Sequence, residues 1–176
     1  MKITSFFSFL LMIIGCASCG FWEQGCDCRT NLYETVQVGP HTRARDPKIT
    51  PYIQEFINDF KDLVPTEMLD LSVLYSYRYE TIVGEEGKDV VGMCSSWTFG
   101  EREIILAPYL YETDYLQKSV IYHELGHCLF DLGHDPDGSL MSEYIFDQEE
   151  YWKDNWAEEL KKFKSFVVSE IRKRNR

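Results

Sequence analysis

Residues 123–135 read HELGHCLFDLGHD, and they hold three of the chain's four histidines: His123, His127 and His134. Positions i and i+4 of an α-helix lie on one face, so His123 and His127 can offer two imidazole nitrogens to the same point. Glu124 projects beside that pair, where a carboxylate can take a proton from water held by a cation. Zinc accepts imidazole nitrogen readily and asks for four ligands, so three protein ligands leave one position open for water. Gly133 stands just before the third histidine. A glycine with positive φ there is expected to end the helix and swing His134 back toward the pair. Two histidines at helical spacing also occur without any metal, but that reading leaves Glu124 and His134 unexplained.

Outward from this stretch, the motif helix is expected to start near Thr113-Asp114 and run through Leu116 and Val120 to about Phe130. A further helix is expected from about Asp147, with Glu149 and Glu150 in its first turn, where acidic groups suit the helix dipole. Its apolar stripe is Trp152, Trp156, Leu160, Phe163, Val167 and Ile171, and its last turn holds Arg172, Lys173 and Arg174. Upstream, Thr50-Pro51 marks a helix start with a capping hydroxyl and a first-turn proline. Ile53, Phe56, Ile57, Phe60, Leu63 and Val64 follow at helical spacing, and Pro65 closes the segment. Strand patterns cover 33–38, 71–83, 89–98 and 103–107, the last two joined through a turn at Phe99-Gly100. This order of elements reads as one α+β or α/β domain.

The 176 residues are 44% hydrophobic, 27% charged and 15% aromatic, with a formal net charge of −11, which excludes a mostly disordered chain. The acid excess argues against nucleic-acid binding, which needs Lys and Arg to meet phosphates. Charge is segregated: residues 17–160 hold 10 Lys and Arg against 28 Asp and Glu, whereas 161–176 hold seven against one. The basic end is most simply the solvated close of the last helix, with a membrane-surface role as the sharper alternative.

Lys2 opens an apolar run that ends at Ile13-Ile14-Gly15-Cys16. It is too short to span a bilayer but fits the core of a signal peptide. The Gly-Cys ending resembles the lipobox of bacterial lipoproteins. That resemblance implies a signal peptide over 1–15, a lipidated Cys16, a tether over 16–30 and a domain over 31–176 held at the bacterial cell envelope. Five cysteines then remain: Cys19, Cys26, Cys28, Cys94 and Cys128. An odd number leaves at least one thiol outside any intrachain pair. Cys94 with Cys128 is one of several possible pairs, and Cys128, next to His127, is expected to be buried rather than a ligand.

The motif itself resembles that of the metzincin clan of zinc endopeptidases, HExxHxxGxxH followed by a Met-turn. The continuation, His134-Asp135 and then Ser139-Leu140-Met141-Ser142, is similar to the adamalysin and matrixin branches. The clan's Gly and third His fall seven and ten residues after the first His. Here Phe130 holds the seventh position, Gly133 the tenth and His134 the eleventh, as one extra loop residue produces. The resemblance implies Zn2+ bound by His123, His127 and His134, with Glu124 as general base and Met141 beneath the metal. It implies a zincin-like fold: a mixed, mostly parallel twisted sheet with an antiparallel edge strand, the motif helix and a C-terminal helix. A peptide substrate would lie along the edge strand, at 89–98 or 103–107.

Asp135 is the nearest other candidate for the third ligand, and Glu143, Glu149 or Glu150 would serve in a gluzincin-like arrangement. Tyr144 is a candidate for stabilising the oxyanion, an upstream Cys for capping the zinc in a latent form, and His41 reads as a surface residue. Two other functions stay open on the same residues: a non-catalytic zinc-binding envelope lipoprotein, and a hydrolase of cell-wall peptide.

Overall fold

Residues 115–130 have apolar or small side chains on every face of a helix, and such a helix is stable only when surrounded. The computed structural model, which describes residues 44–82, 90–96, 100–135, 140–143 and 148–176, puts this helix at the centre. The expected strand at 33–38, together with Cys16, Cys19, Cys26, Cys28, His41 and Tyr144, lies outside the described residues. The elements in chain order are α1 (Thr50–Phe60), β1 (Leu74–Tyr79), β2 (Gly92–Ser96), β3 (Arg102–Leu106), α2 (Tyr115–Phe130) and α3 (Glu149–Arg174). Short 3₁₀ turns at Thr66–Leu69, Leu71–Val73 and Pro108–Glu112 link them. This is a mixed helix-and-sheet fold, with α2 packed against β2 and β3 on one side and α1 and α3 on the other.

An aromatic cluster joins the three helices. Phe56 and Phe60 of α1 lie 4.6 Å apart between ring centroids, Phe60 reaches Phe163 of α3 at 5.4 Å, and Phe56 reaches Tyr122 of α2 at 5.0 Å. The two edge-to-face pairs, Phe60–Phe163 and Phe56–Tyr122, add about 0.5–1.5 kcal/mol each beyond area burial. The Tyr122 hydroxyl donates to Asp59 at 2.7 Å, and Lys164 donates to the other oxygen of the same carboxylate at 2.8 Å. Leu63, assigned above to the apolar stripe, is 46% exposed because α1 ends at Phe60. Thr50 lies inside α1 and makes no capping bond; its hydroxyl pairs with that of Tyr77 at 3.0 Å instead.

The sheet order is β1-β3-β2, with β1 parallel to β3 and β2 antiparallel to it. β3 is therefore central, and 103–107 is not an edge strand. The expected strand at 71–83 is shorter than its pattern, because Asp70 caps a 3₁₀ turn through Ser72 before β1 begins. Residues 44–46 run beside the outer side of β1: Tyr77 N–H donates to the Ala44 carbonyl at 2.8 Å and Asp46 N–H to the Tyr77 carbonyl at 3.0 Å. The outer side of β2 pairs with no strand among the described residues. In an antiparallel ladder alternate residues turn their N–H and C=O groups toward the partner. Ala107 N–H bonds the Val91 carbonyl, so with the β2/β3 register Met93 and Ser95 face β3 while Gly92, Cys94 and Ser96 face outward. Among the described residues no helix is long and apolar enough to cross a membrane.

Candidate metal centre

His123 and His127 occupy successive turns of α2, and a backbone carbonyl fixes each ring. His123 Nδ1 lies 2.7 Å from the Leu140 carbonyl oxygen and His127 Nδ1 lies 2.6 Å from that of Leu132. A carbonyl oxygen can only accept, so both Nδ1 atoms donate and both Nε2 atoms keep their lone pairs. Those two Nε2 atoms face each other at 2.9 Å. Facing lone pairs at that distance repel unless a cation lies with them. A proton is a poor candidate, since burial pushes the pKa of His123 down to about 3 and also lowers that of His127. A divalent metal suits the pair, and the carbonyl partners are the orienting groups that metal-bound histidines ordinarily have.

His134 completes a trio whose ligand nitrogens all lie within 4.8 Å of one another. Its ring centroid is 5.3 Å from that of His123 and 5.0 Å from that of His127. The turn that brings it there differs from the expected one. Asp131, not Gly133, takes the left-handed conformation, with φ of 53°. Asp is one of the few residues other than Gly that tolerate this region. Its N–H bonds the His127 carbonyl and that of Leu132 bonds Gly126, so the chain reverses two residues earlier. Asp131 and Leu132 thereby end the helix and hold His127, while Gly133 only continues the loop. Asp135 N–H then donates to the Met141 carbonyl at 2.7 Å, closing the loop that carries His134.

Met141 is fully buried beneath the helix. A Cβ built on Gly126, between the two helical histidines, would lie 2.6 Å from Met141 Sδ and 3.3 Å from Phe163. Gly126 is thus what lets the Leu140-Met141 segment approach closely enough for the Leu140 carbonyl to hold His123. Reading the sequence for ligands passed over this glycine, although a glycine inside a strongly helical run is itself a signal of close approach.

Glu124 is 4% exposed, and burial raises its pKa to about 8 against the opposing effect of a hydrogen bond from the Cys94 backbone N–H. Its carboxylate therefore lies at the open edge of β2. Gly92 matters for the same reason as Gly126: a Cβ there would meet Val120 Cγ1 at 2.6 Å and Glu124 Oε1 at 2.7 Å. Cys94 and Cys128 form a disulfide that ties β2 to α2 one residue beyond His127. Arg102 of β3 donates to the carbonyls of His127 and Cys128, a contact with no local signal in the sequence.

The acidic alternatives for the third ligand lie elsewhere. Glu149 accepts from the N–H groups of Tyr115 at 2.9 Å and Leu116 at 2.7 Å, at the opposite end of α2 from the histidines. Glu143 and Glu150 are exposed, and neither they nor Asp135 belongs to the metal-competent group found among the described residues. The basic end of α3 is exposed over residues 172–176, and from it Arg174 donates to the Phe130 carbonyl at 2.7 Å and to that of Asp131. Compared with known protein families, curated proteins and solved structures, the chain has no match in any of the three.

Proposed function

We propose that the chain is a zinc-dependent endopeptidase with a zincin-like, metzincin-type domain, exported and lipid-anchored through Cys16 at the bacterial cell envelope. The observation that carries the reading is the convergence of His123 and His127 Nε2 atoms, both with Nδ1 committed to carbonyls, on a point that His134 also reaches. Three imidazole nitrogen donors, with no fourth protein ligand in the group among the described residues, fit zinc in an open, catalytic coordination. Bound there, zinc would supply Lewis acidity toward a carbonyl and lower the pKa of water.

The chain's own residues supply the rest. Glu124, buried and next in sequence to His123 on the motif helix, is the carboxylate placed to take a proton from attacking water and release it again. The outward N–H and C=O groups of Gly92 and Ser96, with the Cys94 C=O, offer main-chain pairing to an extended peptide. Such pairing reads backbone and leaves selectivity to side-chain pockets. The anchor rests on the apolar run and Gly15-Cys16.

The test is a pair of variants assayed for both metal content and peptide cleavage. Glu124→Gln should bind one zinc per chain and lose roughly 10²–10⁴-fold in turnover, the usual contribution of a positioned base. His134→Ala should lose zinc. Turnover retained in the first variant, or zinc retained at full stoichiometry in the second, would overturn the reading.

A further inference from the structure

The edge of β2 is held to α2 at one residue in two ways. The Cys94 side chain is bonded covalently to Cys128, while the Cys94 backbone N–H donates to the Glu124 carboxylate. Cys128 is wholly buried and follows His127 directly, and the carbonyls of both are held by Arg102. The disulfide thus ties β2 to the metal-binding helix beside the base, on the side where β2 pairs with no strand among the described residues. On the inner side, Met93 and Ser95 are secured by the ladder to β3. On the outer side, nothing in the ladder restrains the Cys94 amide.

We propose that the Cys94–Cys128 disulfide is a positioning element of the site: it holds the Cys94 amide at the Glu124 carboxylate and so sets where that carboxylate points. The proposal rests on Glu124 being the base of the reaction above. The metal ligands do not depend on it, because His123 and His127 are oriented by Leu140 and Leu132 instead. Opening the disulfide should misplace the base and leave the metal bound.

The experiment uses the zinc-loaded full chain, intact or as the Cys94→Ser/Cys128→Ser double variant, which keeps the backbone amide at position 94. The intact chain is also treated with a trialkylphosphine. That reagent cleaves S–S to two thiols and takes the oxygen of one water to become its phosphine oxide. Amide hydrogen exchange is read residue by residue, beside kcat, KM and zinc content. Without the disulfide, exchange at position 94 is expected to quicken at least tenfold while positions 93 and 95 change less than threefold. Zinc should stay at one per chain, and kcat should fall at least tenfold with a smaller change in KM. In Glu124→Ala with the disulfide intact, exchange at position 94 should quicken likewise.

Equal acceleration at 93, 94 and 95 would mean a general staple of the fold and would overturn the proposal. So would protection at 94 that survives loss of the disulfide, or unchanged kcat in an otherwise active protein. No turnover by the oxidised, zinc-loaded intact chain, with the exchange pattern as expected, would count against the peptidase reading and leave the positioning contact standing.

Discussion

The two ends of α2 are finished by opposite charges, and α3 supplies one to each. At the N-terminal end Glu149 accepts from the N–H groups of Asp114, Tyr115 and Leu116, meeting the positive end of the helix dipole with a carboxylate. At the C-terminal end Arg174 and Arg102 donate to the carbonyls of Phe130, Asp131, His127 and Cys128. The first end is closed and scaffolds the helix. At the second, the chain turns back at Asp131, and the returning loop brings a carbonyl to His127 and the ring of His134 to the pair. One end shows how the helix is held, the other what it is held for.

The largest expected effect falls on the histidine half. In metal-free protein Glu124 keeps its proton up to about pH 8, whereas in the unfolded chain it loses it near 4.5. The folded state therefore holds this proton between those values, and the Glu124 contribution to stability should fall as pH rises through that window, while His123 and His127, held neutral by burial, contribute the opposite slope below about 6.5. By linkage the loss amounts to up to about 5 kcal/mol. Glu124→Gln should remove this decline, so urea unfolding of the two proteins should diverge as pH rises and run parallel above about 8.

A smaller effect is expected beneath the histidines. Gly126→Val would drive carbon into Met141 Sδ and Phe163, both fully buried, and overpacking of this kind costs about 1–3 kcal/mol. Because Met141 adjoins Leu140, the carbonyl that holds His123 should shift and zinc affinity should fall with stability. Titration calorimetry beside denaturation would show the two losses together.

The smallest effect belongs to the scaffold end. Glu149→Ala removes a cap worth about 1–2 kcal/mol and should leave zinc affinity unchanged. Weakened zinc binding in that variant would erase the distinction between the two ends.

Most of this division was legible only in halves. The His123-Glu124-His127 spacing is a local property, and helix geometry alone puts those groups together. The limits of α2 and α3 fall within about two residues of where periodicity and acidic first-turn residues set them. The turn to His134 was assigned to Gly133 because glycine is the commonest left-handed residue, but the hydrogen bonds from Asp131 and Leu132 back to α2 select Asp131. Glu149 was legible as an acid suited to the start of its own helix, yet its carboxylate serves the start of another. Sheet order was not legible, because 89–98 and 103–107 carry similar patterns and only packing makes one central.

By itself the sequence determined what lies within a helical turn or two: the paired imidazoles, the adjacent carboxylate and the apolar surface that buries the helix. Local dihedral geometry is enough for these. Tertiary structure alone decided which carbonyls orient the rings, which strand is central in the sheet, which cysteines join and which charges finish α2. Each of those is a contact between groups far apart in the chain, chosen by competition among many partners that spacing cannot rank.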